Sequence, residues 1–148
     1  MELHLGILAP ILLLALALVL GLIFKVRSGR GRSVNKSETI DLGKLKAEKS
    51  GKPAKAFGKK ATLLQFSTQY CAICPGVSRQ LGQLETKTNG VLHLEVDITD
   101  RLDLAAHFQI SQTPTVFILN PSGEIKFRVS GTPKPGVIQQ ELEKLGAA

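Results

Sequence analysis

The chain has 148 residues, only two cysteines and a formal net charge of +7. That length suits one domain with short appendages. Residues 25–60 contain 12 Lys or Arg against 3 Asp or Glu, a balance of +9, whereas residues 61–148 contain 7 against 8, a balance of −1. Because the part of the chain that is predicted to fold is nearly neutral, the composition argues against nucleic-acid binding, which needs a basic face on the fold itself.

The first predicted element is an uncharged run from Leu5 to Phe24. About 20 residues at about 1.5 Å each span a hydrocarbon core of about 30 Å, so residues 1–25 are predicted to form a transmembrane anchor. A cleaved signal peptide is the alternative, but it would have basic residues before the run and a cleavage site between small residues after it. Met1–His4 contains no Lys or Arg, and the run ends in Phe24-Lys25-Val26-Arg27. We therefore expect an uncleaved anchor.

Four basic residues follow this run closely: Lys25, Arg27, Arg30 and Arg32. Basic residues that flank a span stay on the cytoplasmic side. We therefore expect a single-pass plasma-membrane protein whose C-terminal domain lies on the cytoplasmic side. The basic run also fits attraction to anionic lipid headgroups. We prefer the simpler interpretation, in which it is a solvated tether that also fixes the topology.

Residues 26–60 are rich in Lys, Gly and Ser, a composition typical of linkers. Ser37–Leu45 contains a few apolar residues that would suit a short strand, and Gly51 and Pro53 prevent a long helix after it. We expect a basic linker that is partly ordered, with Phe57 as the residue that would dock on the domain.

The pattern becomes regular from Ala61 onwards, and residues 61–148 are predicted to form one domain. The apolar positions and turn residues give the element order β-α-β-α-β-β-α. A helix between two strands implies a parallel crossover, and a terminal hairpin implies an antiparallel pair. The fold class is therefore α/β, with a mixed central sheet covered by helices on both faces. The predicted strands are Ala61–Ser67, Val91–Asp97, Thr115–Asn120 and Glu124–Ser130.

Cys71 and Cys74 lie where the first of these strands turns into the first helix. A thiol attacks only as a thiolate, and a free thiol has a pKa of about 8.5. The unpaired N–H groups and partial positive charge of a first helical turn favour the thiolate at the helix start, so Cys71 is the candidate nucleophile. Cys74 can then attack a mixed disulfide on Cys71 and release the substrate.

Two other uses of the cysteine pair need weighing. A structural disulfide would close a very small loop and constrain little of the unfolded chain, and the cytoplasm would keep it reduced. Zinc needs two more ligands, and His93 and His107 are 14 residues apart, unlike the usual histidine spacing of about three to five. We therefore predict redox chemistry and no metal.

Four stretches together resemble the thioredoxin family over roughly residues 60–146. They are the strand Thr62–Phe66, the turn Ser67–Tyr70, the motif Cys71-Ala72-Ile73-Cys74 and the later Gln112-Thr113-Pro114-Thr115. The chain is also similar to the tethered thioredoxin-like proteins of actinobacteria, in which a short N-terminal span precedes a basic flank. The resemblance implies a thioredoxin-like fold preceded by one transmembrane helix.

The resemblance also implies roles for single residues. Cys71 matches the exposed attacking cysteine and Cys74 the buried resolving cysteine. Pro114 matches a cis-proline that lies against the disulfide and, with Thr113, receives an extended substrate strand. Tyr70 stands where the family usually has Trp and keeps an aromatic surface for substrate.

Two further departures from the family concern redox tuning. Gln65 stands where thioredoxins have a buried Asp that relays the proton of the resolving thiol, and glutamine cannot accept a proton at neutral pH. Water or another group must then take this proton, or the second step is slow. Ala72-Ile73 replaces the Gly-Pro pair of reducing thioredoxins.

We therefore expect a membrane-tethered thiol–disulfide oxidoreductase that reduces protein disulfides. Its partners would be protein disulfides, an electron donor that the sequence does not identify, and the membrane, with no nucleic acid. Its only redox group would be the Cys71–Cys74 disulfide, with no separate cofactor. Two alternatives stay open: an extracytoplasmic redox protein of cytochrome-c-maturation type, and a redox-sensing or binding module without turnover, which Gln65 favours.

Overall fold

A computed structural model describes residues 2–34 and 38–147, with the side chains of residues 2–7 left undescribed. The described residues do not include Met1, residues 35–37 or Ala148. The parts of the predicted anchor, linker, strand and domain that fall on these positions therefore lie outside the described residues. The helices are α1 Glu2–Arg27, α2 Leu42–Leu45, α3 Cys74–Lys87, α4 Leu102–His107 and α5 Val137–Lys144. The strands are β1 Gly31–Ser33, β2 Glu48–Lys49, β3 Lys52–Pro53, β4 Ala61–Ser67, β5 Val91–Asp97, β6 Thr115–Leu119 and β7 Ile125–Ser130.

The strands form one seven-stranded mixed sheet in the order β1-β7-β6-β4-β5-β2-β3. Strands β4 and β5 are parallel, because α3 carries the chain back between them, and the other described pairs are antiparallel. From residue 61 onwards the predicted order β-α-β-α-β-β-α is confirmed.

Helices cover both faces of the sheet, as predicted. Successive side chains of a strand point to opposite faces, and β4 supplies both cores. Leu64 and Phe66 join the cluster on the α2 and α4 face. Leu63 joins the opposite cluster, where it meets Leu81 of α3 and Leu142 of α5. Residues 61–66 are all buried, so β4 is the centre of the domain.

The segment predicted to be a partly ordered linker contributes to the sheet. Strand β1 pairs with β7 at one edge, and β2 and β3 extend the other edge beyond β5. The strand expected within Ser37–Leu45 is, in the described residues, an isolated bridge between Thr39 and Glu124 followed by α2. Phe57 packs partly buried against the core, where the sequence analysis expects it. Strands of two or three residues are too short for a periodic pattern to reveal.

Helix α1 precedes the domain. Its stretch Leu8–Arg27 is long and apolar enough to cross a membrane by length and composition, and none of it is buried within the protein. Its end is attached to the domain. The Gly29 N–H donates to the Ser130 carbonyl at 2.9 Å, and Lys134 Nζ donates to the Val26 carbonyl at 3.0 Å.

Candidate redox site

Cys71 and Cys74 form a disulfide, with an S–S distance of 2.07 Å and 5.4 Å between their Cα atoms. Cys74 is only 4% exposed, whereas Cys71 is half-buried. A partner sulfur can therefore reach Cys71 more readily than Cys74. This difference suits the predicted division into an attacking and a resolving cysteine.

The structure shifts the helix start relative to the sequence analysis, which puts Cys71 in the first turn. Helix α3 begins at Cys74, with Ile73 as its N-cap residue. Pro75 fills an early helical position, where a missing N–H costs nothing. Cys71 lies in the preceding turn, where its N–H bonds the Thr68 carbonyl at 3.1 Å and its carbonyl accepts from the Cys74 N–H at 3.3 Å.

A groove of about 450 Å³, which we call the disulfide groove, opens beside the pair. Both cysteines line it, together with Gln65 from β4, Ser78 from α3 and Glu95 from β5. Among the described residues that line this groove, Glu95 is the one carboxylate. The groove thus brings a charged proton acceptor to the same space as the two sulfurs.

Gln65 is 1% exposed, and its Nε2 donates to the Cys74 carbonyl at 3.1 Å. Among the residues that the structure describes, its Oε1 has no hydrogen-bond partner, which is unusual for a buried polar atom. In the parallel ladder Gln65 pairs with Glu95, whose side chain is 44% exposed and accepts a hydrogen bond from the Ser78 hydroxyl. The buried amide therefore holds the backbone of the resolving cysteine, and the carboxylate lies one strand away.

His93 lies two residues before Glu95 on the same strand and is 6% exposed. Its Nε2 is 3.9 Å from a Glu95 carboxylate oxygen and makes no hydrogen bond within the described residues. Burial lowers the pKa of His93 below 6.5, and the nearby Glu95 charge only partly opposes this. The imidazole is therefore neutral at pH 7.

A second groove of about 590 Å³, the tether groove, lies where the cis-proline loop meets the end of α1. The Thr113–Pro114 peptide is cis, as the resemblance implies, and Pro114 is buried. Thr113 and Ile73 line this groove together with Phe24 and Lys25.

The structure thus distributes the predicted site residues over neighbouring surfaces. Gln65 and the two cysteines share the disulfide groove, and Ile73 and Thr113 share the tether groove. Ala72 is exposed between the cysteines and Tyr70 is 87% exposed beside them. Their roles in catalysis, substrate binding and redox tuning remain predictions.

Sequence reasoning missed Glu95 and Ser78. Glu95 is one polar residue in an alternating strand, and only the strand register shows that it faces Gln65. Within residues 2–34 and 38–147, no three His, Cys, Asp or Glu side chains converge in a way that would hold a metal ion.

The mixed sheet, the cysteine pair at the start of α3 and the cis-proline before β6 define a thioredoxin-fold protein with a disulfide at its redox site. The family model described as thioredoxin matches residues 45–144. The chain therefore belongs to the thioredoxin family.

Comparisons with individual proteins agree with this assignment. The chain is 29% identical over 84 residues to the mitochondrial thioredoxin of Mus musculus, which is 56% of this chain and 50% of that protein. It is 31% identical over 86 residues to thioredoxin H3 of Arabidopsis thaliana, covering 58% and 71%. The chain thus spans about half the length of the mitochondrial relative. The structure of spinach chloroplast thioredoxin f superposes with a TM-score of 0.51 at 23% identity, over 60% of this chain and 79% of that one, which shows a shared fold.

Proposed function

We propose that the protein is a membrane-tethered thiol–disulfide oxidoreductase that reduces protein disulfides through Cys71 and Cys74. One observation carries the proposal: an accessible cysteine is bonded to a buried one beside an open groove, in a chain of the thioredoxin family. The same pair and family membership support enzyme activity rather than a purely structural disulfide.

The reaction follows from thiol–disulfide exchange. In the reduced protein the Cys71 thiolate attacks one sulfur of the substrate disulfide and expels the other as a thiolate. The Cys74 thiolate then attacks Cys71 Sγ, forms the Cys71–Cys74 disulfide and expels the second substrate thiolate. Two electrons pass from the dithiol to the substrate, which takes up two protons as its thiols form. A thiol donor must reduce the pair again.

The second step needs an acceptor for the proton of Cys74. Gln65 holds the Cys74 backbone but cannot take this proton. Glu95 lines the same groove, and its half-exposed carboxylate has the Ser78 hydroxyl to orient it. We assign Glu95 as the acceptor, with the proton passing through water in the groove and then to the departing thiolate.

The end of α1 bears on substrate choice. Phe24 and Lys25 line the tether groove together with Thr113 and with Ile73, which lies between the two cysteines in the sequence. A substrate strand in this groove would lie at the level of the membrane surface. Disulfides close to a membrane span are therefore the proposed substrates. The basic residues after α1 support a cytoplasmic location for the domain at the plasma membrane.

Trapping in living cells tests the proposed activity. In Cys74→Ser the mixed disulfide on Cys71 cannot be resolved, so partner proteins should accumulate as reducible adducts. Cys71→Ser is the matched control and should trap none. If Cys74→Ser yields no more adducts than Cys71→Ser, the proposal is wrong.

A reporter fused after Ala148 tests the topology. Activity of a reporter that works only in the cytoplasm supports the proposed side. Activity of one that works only outside the cell would favour an extracytoplasmic redox protein of the cytochrome-c-maturation kind.

Gln65 favours one other function, a redox-sensing or binding module without turnover. Such a module would form the Cys71–Cys74 disulfide but would not reduce substrates repeatedly. Insulin reduction by the full chain with a chemical donor separates the two, because only an oxidoreductase gives many turnovers per protein.

A further inference from the structure

Four arginines converge where α1 meets the sheet. They line a cavity of about 300 Å³ together with Gln109 and Ser130, and they are Arg27, Arg30, Arg32 and Arg128. We call this cavity the arginine pocket. It lies apart from the disulfide groove, and the redox mechanism proposed above does not use it.

The strand register brings these like charges together. Strand β1 follows α1 and pairs antiparallel with β7, so that Arg32 lies directly opposite Arg128. Like charges directly opposite in a sheet destabilise it. The fold nevertheless fixes this arrangement through the hydrogen bond from the Gly29 N–H to the Ser130 carbonyl.

No carboxylate relieves the repulsion within the described residues. None of the four arginines comes within 4.0 Å of an Asp or Glu oxygen there. Other basic side chains in the domain do pair, for example Lys126 with Glu124 at 2.8 Å. The pocket therefore has a concentrated positive charge that a bound anion would neutralise.

Hydrogen bonds fix the guanidinium of Arg128 and leave it donors for such an anion. Its guanidinium donates to the Phe108 carbonyl at 2.7 Å, the Gln109 carbonyl at 2.6 Å and Ser130 Oγ at 3.3 Å, and it lies 5.4 Å from the centre of the Phe117 ring. A guanidinium has five N–H donors, so three are used and two remain. Partial burial, and to a smaller extent the Arg32 charge, lower the pKa of Arg128.

We propose that the arginine pocket binds the phosphate group of an anionic phospholipid headgroup. Guanidinium groups match phosphate oxygens in charge and geometry. Arg27 is the last residue of the helix that is able to span the membrane, and Arg30 and Arg32 are three and five residues further along the chain. The pocket therefore lies at the depth where headgroup phosphates lie. The basic flank is then a binding site that fixes the domain against the bilayer, rather than the solvated tether preferred from the sequence.

Lipid retention by the full chain in detergent tests this proposal, with native mass spectrometry as the readout and phosphatidylglycerol and phosphatidylcholine as probes. The test variant is Arg30→Gln/Arg32→Gln, since neither side chain makes a hydrogen bond within the described residues. Lys55→Gln/Lys59→Gln is the matched control, because it removes the same charge from exposed positions of the same basic segment. Thermal unfolding of each variant verifies the fold.

The wild type and the lysine control should retain phosphatidylglycerol in preference to phosphatidylcholine. Arg30→Gln/Arg32→Gln should bind phosphatidylglycerol at least about tenfold more weakly. Equal loss in the lysine control would overturn the proposal, because it would show diffuse attraction without a site. Equal retention of both lipids by the wild type would also overturn it. If inorganic phosphate binds the wild type as tightly as phosphatidylglycerol does, the site is one for free phosphate and the lipid assignment is wrong.

Discussion

Gln65 and Glu95 lie side by side on the two parallel strands of the sheet, and both line the groove beside the disulfide. The amide is buried and bonded to the Cys74 carbonyl, whereas the carboxylate is half-exposed. The acid expected at position 65 from the family pattern thus has a counterpart one strand away. This relationship supports a complete catalytic cycle despite the glutamine.

Glu95→Gln should slow the attack of Cys74 on the mixed disulfide while leaving the attack by Cys71 nearly unchanged. Loss of a general base costs on the order of a hundredfold in rate. Rapid-mixing kinetics with a disulfide substrate resolves the two steps. Glu48→Gln is the control, since Glu48 pairs with Glu95 in the sheet but does not line the disulfide groove. Equal slowing in both variants would contradict the assignment.

The double change Gln65→Glu/Glu95→Gln exchanges the amide and the carboxylate between the two positions. It should recover most of the rate that Glu95→Gln loses, because a base again lines the groove. Burial raises the pKa of a carboxyl group, and position 65 is far more buried than position 95, so the recovered rate should rise at higher pH than in the wild type. The pH profile of the resolving step is the measurement. No recovery at any pH would show that Glu95 acts only through structure.

The buried His93 should make the stability depend on pH. Its pKa in the folded protein lies below the ordinary value of 6.5, so the unfolded chain binds the proton more readily. The free energy of unfolding should therefore be highest above pH 6.5 and fall as the pH drops from there through the folded pKa. The groups around His93 are Glu95, Lys49 and Glu85. The pKa of Asp97 is also lowered, by hydrogen bonds from Thr99, but its stabilisation is lost in a separate window below pH 3.8.

Denaturant unfolding of the oxidised protein between about pH 5 and 8 measures this dependence. His93→Leu should flatten this fall in the free energy of unfolding. His107→Leu is the comparison variant, because it removes a histidine from an exposed position. If the free energy of unfolding of His93→Leu still falls with pH as it does in the wild type, groups other than His93 cause the dependence.

Substitution of Asp41, the N-cap residue of α2, tests whether the segment before residue 61 belongs to the domain. Asp41 accepts hydrogen bonds from the backbone N–H groups of Gly43 and Lys44, at 3.0 and 3.1 Å. Asp41→Ala should lower the free energy of unfolding by about 1 kcal/mol, whereas Asp41→Asn, which keeps the acceptor, should cost much less. Chemical denaturation of the whole chain gives both values. No loss in Asp41→Ala would mean that α2 contributes little to the cooperative fold.

Much of the fold follows from sequence, because long buried elements have clear patterns. The strand Ala61–Ser67 and the helix with Val77, Leu81 and Leu84 at helical spacing are examples. The sheet edges do not follow from sequence. Strands β1 to β3 have two or three residues each. They are stabilised by pairing, of β1 with β7, of β2 with β5 and of β3 with β2, rather than by local propensity.

In the candidate site too, some residues can be placed from the sequence and others cannot. Gln65 on β4, Cys71 in the following turn and Cys74 at the start of α3 lie within ten residues, so their spacing alone places them together. Glu95 beside Gln65 and Arg128 opposite Arg32 both depend on strand register, and one sequence read along its length does not reveal register. The helix start also differs from the sequence analysis, since Cys71 precedes α3 instead of opening it.

The reduction potential of the Cys71–Cys74 couple tests the central claim most directly. It is measured on the full chain in a membrane mimic, by equilibration with glutathione buffers and counting of free thiols. A protein-disulfide reductase facing the cytoplasm should have a value near or below the cytosolic poise of about −220 to −260 mV. A value far above this, near the roughly −120 mV of a strong thiol oxidant, would contradict the proposed direction of exchange.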